Sequence, residues 1–193
     1  MARTKDFDEN EVLAKAVNLF WLKGYNATSM QDLVDELGIS RSSLYDTYGD
    51  KHTLFIKALE SYQCTNTGKF VRIIEANTSA KETIKALLDF VVCGLLSDKS
   101  QKGCFIVNAE VEVALHDKEV SEMIQKNDQH MEDAFFRVIE KGQENGEIAN
   151  TQSARALARF VFNTVKGIQV TAKSTTERAV FDDIINSALV VLG

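Results

Sequence analysis

The sequence predicts an all-α fold, and three observations carry that prediction. The 193-residue chain contains no proline, the residue that most reliably breaks a helix. Apolar residues recur along most of its length at i, i+3, i+4 and i+7, the period of one helix face. Glycines and short polar capping residues fall at the ends of these stripes. The composition, 45% hydrophobic and 26% charged, is that of a globular protein.

Taken in order, residues 1–7 read as a short arm carrying Arg3 and Lys5. Asp8 is placed to cap a first helix with an apolar face of Leu13, Ala16, Val17, Phe20 and Trp21, and Gly24 near its end. Thr28 and Gln31 have the spacing of a capping box and mark a second helix, in which Met30, Leu33, Val34 and Leu37 recur before Gly38. Ser40 restarts the pattern, and Leu44 and Tyr45 lead to Tyr48 and a stop at Gly49. Two short helices across a tight glycine turn are the plan of a helix-turn-helix. Asp50 is placed to cap a fourth helix with Leu54, Phe55, Ala58, Leu59 and Tyr62 as its inner stripe.

The remaining two thirds are also read as helical. Thr78–Ser79 precede a stripe of Ile84, Leu87, Leu88, Val91, Val92 and Leu95, and residues 97–102 are polar and loop-like. Gly103–Leu115 reads as a short apolar helix; the alternation in VNAEVEVAL also fits a strand, but an isolated strand has no partner here. A long helix from about Asp117 to Asn145 carries Val120, Met123, Ile124, Met131, Phe135 and Val138, and Gly146 ends it. Asn150–Thr151 are expected to cap the next helix, with Ala154, Leu157, Ala158, Val161, Phe162, Val165 and Ile168 on its face. The last helix shows Phe181, Ile184, Ile185, Ala188, Leu189 and Leu192. Both stripes are wider than one neighbouring helix covers. Val161, Val165, Phe181, Ile185 and Leu189 are therefore candidates for a subunit interface, with ordinary core as the competing reading.

Bulk properties exclude several classes. Net charge is −6, and residues 1–60 hold seven Lys/Arg against ten Asp/Glu. That is the opposite of the usual basic nucleic-acid footprint, so any DNA binding must rest on local cations and neutral donors: Arg3, Lys5, Arg41 and Lys51. Cys64, Cys93 and Cys104 are odd in number and lack CxxC spacing, which argues against a disulfide framework or a zinc site. The N-terminus has no signal-peptide pattern and no apolar run is long enough to span a membrane, so a cytoplasmic protein is expected. No cofactor is indicated.

The first third resembles the DNA-binding domain of TetR-family transcriptional regulators. The resemblance is carried by Ala16, Leu19 and Phe20, KGYNATSM at 23–30, LGIS at 37–40, SLYDTYGDK at 43–51 and LF at 54–55. Gly49 departs from the family pattern, where many members have proline. Two later segments, GCFIVNAEVE at 103–112 and KGIQVTAK at 166–173, also look like family sequence. The resemblance implies a three-helix helix-turn-helix DNA-binding domain over 1–52 and a larger ligand-binding and dimerisation domain over 53–193, about nine helices in all. It also implies a homodimer on a palindromic double-stranded operator, a repressor role, and release by a small-molecule inducer or electrophile.

By that resemblance the helix starting near Arg41 enters the major groove. Ser40, Arg41, Ser42 and Ser43 lie near its N-terminus, where hydroxyls and backbone N–H groups meet phosphates or base edges. Arg41 can pair bidentately with guanine or clamp a phosphate. Tyr45 and Tyr48 offer hydroxyls or ring edges, against packing as the alternative. Thr28, Ser29 and Met30 at the second helix start and Lys51 at the fourth complete the expected DNA surface. The expected ligand pocket takes Phe90, Cys104, Phe105 and Phe162 as walls, with Phe70 and Phe135 as further aromatic candidates and Asn108, Glu112, Gln169 and Lys173 as polar contacts. Cys104, at a helix start beside Lys102, is where dipole and cation would favour a thiolate sensor, with Lys173 as a partner; the alternative is a small buried thiol.

Three other readings compete. A helical enzyme using Cys104 would need a base, yet His52, His116 and His130 have neither triad nor metal spacing to it. A ligand-blind DNA-binding dimer would lack an aromatic-lined cavity. An activator is indistinguishable from a repressor in the sequence.

Overall fold

The computed structural model describes residues 7–76 and 78–193; Arg3 and Lys5 lie outside them. Nine α-helices and no strand occur among the described residues. The first, α1 (Glu9–Lys23), starts at Asp8, whose side chain accepts from the Asn10 N–H at 2.8 Å. It stops at Gly24, where φ is +84°. A Cβ there would be strained and would meet a carboxylate oxygen of Glu112 at 2.8 Å, so the turn needs glycine on both counts.

Helix α2 (Met30–Leu37) is capped one residue later than the sequence suggested. Ser29 and Asp32 form the capping box, not Thr28 and Gln31. Thr28 is buried and its hydroxyl donates to the Gly24 carbonyl at 2.6 Å, closing the turn that delivers Ser29 to the cap. Gly38 ends α2 in the left-handed conformation. Ser40 then caps α3 (Arg41–Tyr48). Asp50 accepts from the Thr53 N–H at 2.7 Å and opens α4 (Lys51–Ala76), as its position predicts.

Helix α4 runs through both halves of the molecule. Its Leu54, Phe55, Ala58 and Leu59 join α1–α3 in one apolar cluster, while Phe70 belongs to the other. The first cluster continues into α6 (Phe105–Glu112) and the start of α7 (Lys118–Glu144). Phe55 is the joint, edge-on to Phe20 at 5.2 Å and to Phe105 at 5.8 Å. Each such buried ring stabilises the fold by about 1.5–3 kcal/mol as an upper estimate. The strand-like alternation at 103–115 is helical in the structure: Ile106, Val107, Ala109 and Val113 are buried, while Val111 and Leu115 of the same series are exposed.

The second cluster joins α5 (Ala80–Ser97), most of α7, α8 (Ala154–Thr171) and α9 (Arg178–Leu192). Ser79 caps α5, and Glu147, beyond α7, accepts from the Ala80 and Lys81 N–H groups at 2.7 and 2.8 Å. Helix α8 is capped by Ser153 rather than by Asn150–Thr151, because the Asn150 side chain instead donates to the Val191 carbonyl at 2.6 Å and ties down α9.

The candidate interface residues lie where the competing core reading of the two stripes would put them. Val161, Val165, Phe181 and Ile185 are buried within this one chain, and Leu189 packs half-buried against the same cluster. Their stripes are wide because α8 packs against α5, α7 and α9 together. The exposed apolar side chains on these helices are Phe160 and Val170 of α8 and Val190 of α9.

Candidate DNA interface and internal cavity

The outer surface of α3 is short and polar. Ser40, Arg41, Ser42 and Tyr45 are exposed, and Ser43 is half-buried. The Ser40 hydroxyl accepts from the Ser43 N–H at 3.1 Å and lies within 3.0 Å of the Ser42 hydroxyl, so the first turn is pre-ordered and Arg41 projects from it. At the start of α2, Ser29 is exposed and Met30 half-buried. Asp32, paired with Lys23 at 2.5 Å, is held below the usual carboxylate range chiefly by that lysine and by Ser29. One acidic group of the head is thereby neutralised beside the candidate surface.

Three expected DNA contacts point inwards. Thr28 is committed to Gly24 as described. Tyr48 is buried, and its hydroxyl donates to the Glu9 carbonyl at 3.3 Å. Lys51 Nζ donates to the carbonyls of Tyr25 and Thr28, both at 2.8 Å, and sits 4.3 Å from the centre of the Tyr25 ring. The α1–α2 turn leaves those carbonyls without helical partners, so a nearby ammonium is drawn to them. Partial burial holds the lysine below its ordinary pKa.

Among α1, α4, α5, α6, α7 and α8 lies an open cavity of about 470 Å³. Phe90, Cys104, Phe162 and Gln169 line it as expected, with Phe70 and Trp21. Five of the expected pocket residues are not among its walls. Phe105 is core, edge-on to Phe55 and Tyr62. Asn108 bridges the Lys102 carbonyl and the Lys173 ammonium at 2.9 and 2.7 Å, which accounts for both Asn108 and Lys173. Glu112 accepts the backbone N–H groups of Tyr25 and Asn26 at 3.1 and 2.8 Å, facing the head. Phe135 is likewise fully buried core.

Cys104 lines the cavity but is not primed as a thiolate. Burial pushes its thiol above the ordinary value, outweighing the neighbouring N–H groups and the Tyr62 hydroxyl, which donates to Sγ at 3.8 Å. The nearby cations are engaged elsewhere: Lys102 Nζ lies 4.4 Å from the Trp21 ring centre, and Lys173 pairs with Asn108.

Sequence reasoning missed Trp21, Gln63, Asp128 and Lys166 as wall residues. A signal for two of them was present. Gln63 stands beside Leu59, Tyr62 and Phe70 on α4, and Asp128 falls between Ile124, Met131 and Phe135 on α7. Polar residues in apolar stripes face either a partner or a cavity. Trp21 gave none, because an aromatic in a helical stripe reads as core. Its indole donates to the Gly103 carbonyl at 3.1 Å and stacks edge-on to Tyr62 at 5.0 Å.

A compact helix-turn-helix with an exposed, N-capped second helix, set on a helical body that encloses a cavity, defines a DNA-binding regulator with a ligand-sized chamber. The family follows from comparison with known proteins. Residues 12–58 match the model of bacterial regulatory proteins of the tetR family, and residues 80–188 match the tetracyclin repressor-like C-terminal domain. The protein belongs to the TetR family of DNA-binding transcriptional regulators, which are not enzymes. It is 34% identical over 193 residues to the uncharacterized HTH-type regulator YezE of Bacillus subtilis, covering all of both chains. It is 27% identical over 176 residues to the HTH-type transcriptional repressor ComR of Escherichia coli, covering 89% of this chain and 82% of the other. Among solved structures, a cysteine mutant of the TetR-family regulator CifR, complexed with 26-base-pair operator DNA, matches with a TM-score of 0.89 at 25% identity over all of both chains. Among the described residues no group of three or more His, Cys, Asp or Glu is arranged to hold a metal, and no helix is long and apolar enough to cross a membrane.

Proposed function

We propose that this protein is a ligand-responsive repressor that binds a palindromic operator as a homodimer and leaves it when a small molecule occupies the cavity. Residues 1–52 read the DNA and 53–193 bind the ligand and dimerise, with α4 shared between them. The observation that carries the reading is Trp21, a side chain of α1 that forms part of the cavity wall. An occupant touching that wall touches α1, the first helix of the DNA-binding head.

The DNA surface of this proposal is Ser29, Ser40, Arg41, Ser42, Ser43 and Tyr45, with Met30 at its edge. A helix of eight residues makes few base contacts, so two copies reading half-sites about one helical turn apart are needed for specificity. The exposed Phe160, Val170 and Val190 on α8 and α9 supply an apolar face for the twofold contact. The CifR–operator complex and the ComR repressor name support the operator and repressor parts. A ligand releases DNA only if it binds one head spacing more tightly than the other.

Selection of bound DNA from a random pool tests the reading, followed by sedimentation and release assays. A palindromic consensus, a dimer at micromolar concentration and release by at least one cavity-binding compound are expected. Recovery of no consensus overturns the operator; a consensus with no releasing compound leaves a ligand-blind DNA-binding dimer.

A further inference from the structure

One polar feature of the cavity wall is an ion cluster that is incomplete as it stands. Lys166 Nζ donates to Asp128 Oδ2 and to both oxygens of Glu110 at 2.9 and 2.8 Å. One ammonium thus faces two carboxylates, and the cluster has a surplus of negative charge. Asp128 and Lys166 both line the cavity, while Glu110 stands behind them. Asp128 Oδ1 is buried with no hydrogen-bond partner, and so is Nε2 of Gln63, another wall residue. A carboxylate has about four acceptor positions, and leaving them empty in a desolvated place is unfavourable. Burial accordingly pushes the Asp128 carboxyl above the ordinary range despite Lys166. Lys166 is held charged in spite of burial by Asp128 and Glu110. It therefore has no free charge to offer an anion.

The surplus is local to the cluster, since the other charged wall residues are Lys69 and Asp98. Lys69 is exposed, and Asp98 lies 3.9 Å from Lys102. The remaining wall is largely aromatic, with Phe70, Phe90, Phe162 and Trp21 presenting rings to the same space. Ring faces attract a cation and accept an apolar chain equally well.

We propose that the cavity selects an apolar organic cation, an alkyl or aralkyl ammonium, whose N–H donors sit on Asp128 while its apolar part lies against the aromatic wall. This rests on the ligand-responsive reading above and assigns its ligand class. Such a head group gives Asp128 a second donor beside Lys166 and supplies a countercharge for the second carboxylate of the cluster. A carboxylate of the same shape meets the surplus negative charge instead.

The chain's single tryptophan, Trp21, stands in the cavity wall and reports occupancy without DNA. Fluorescence titration of the full-length protein at neutral pH would compare phenylbutylamine, charged under these conditions, with phenylbutanol and phenylbutyrate. The amine is expected to saturate the signal at a concentration at least about tenfold below that of the carboxylate, with the alcohol between them. Asp128→Asn is expected to remove the preference for the amine while retaining binding of the alcohol, with circular dichroism checking its fold. The wild-type comparison decides the matter even where that variant does not fold. Equal or tighter binding of the carboxylate, or an undiminished preference in a folded Asp128→Asn protein, overturns the proposal. Amine binding that does not release operator DNA supports the ligand class and counts against the repressor mechanism. Absence of any response to all three compounds overturns the ligand class, while the ligand-responsive reading stands or falls by the release assays above.

Discussion

Oε1 of Glu112 accepts the backbone N–H of Asn26 at 2.8 Å, pinning the α1–α2 turn to the C-terminal end of α6. Oε2 takes the Tyr25 N–H at 3.1 Å, and Lys51 takes two carbonyls of the same turn. The turn that sets the angle between α1 and α2 is therefore held from two sides, by an acid on the body and a base on α4.

Removing the acid leaves two backbone donors without their partner. Glu112→Ala is expected to lower stability by about 1–3 kcal/mol, the cost of leaving such groups unsatisfied. Urea unfolding measures it. The same variant should weaken the coupling between cavity occupancy and DNA release, read as a smaller change in operator affinity at saturating ligand. Gly24→Ala should be destabilised as well, since its Cβ would meet Glu112 in a strained backbone.

The recognition surface divides its two tyrosines. Arg41→Ala and Tyr45→Ala should reduce operator affinity by about tenfold or more each, at one to a few kcal/mol per lost contact, with unfolding midpoints unchanged within error. Tyr48→Ala should instead lower the unfolding midpoint, because that ring is buried in the head. Fluorescence anisotropy on labelled operator, run beside thermal melts, separates the two outcomes. An Arg41→Ala protein with wild-type affinity would remove α3 from the DNA.

The two faces of α8 and α9 should likewise part company. Phe160→Glu combined with Val190→Lys is expected to give a folded monomer by sedimentation. Phe181→Ala, a cavity in the chain's own core, should cost about 3–5 kcal/mol of stability in either state. A double variant that remained dimeric would place the subunit contact elsewhere.

Several helix ends are fastened by carboxylates held below their ordinary pKa. Asp50 is lowered by the Thr53 N–H and hydroxyl, Glu147 by the Ser79 hydroxyl and the α5 N–H groups, and Asp32 by Lys23 and Ser29. A depressed folded-state value means that the unfolded chain takes up protons first as pH falls. The stabilisation is complete above the ordinary carboxylate range, roughly pH 4, and is lost as pH drops through the folded-state values beneath it. Urea midpoints should therefore begin to fall as pH drops towards about 4 and keep falling below it. Glu147→Gln should show a shallower fall than wild type.

The sequence by itself determined the helical architecture, the helix-turn-helix and most helix starts. Those depend on local rules: apolar period, a capping oxygen at Asp8, Ser40, Asp50 or Ser79, and a glycine where the chain must turn. Where the capping rule picked Thr28, the fold chose Ser29 and buried the Thr28 hydroxyl against Gly24. Tertiary structure alone decided which side of each residue faces what. Glu112 and Asn108 share a helix with the cavity residues Ile106 and Val107 yet are not part of the chamber wall, and Val161 and Phe181 are enclosed by the chain's own helices. Trp21 reaches the cavity from the first helix, across eighty residues of sequence from the Gly103 carbonyl it binds. The physical reason is that periodicity specifies a buried face, whereas a cavity, a hydrogen-bonded joint and an interface are properties of what several distant faces enclose together.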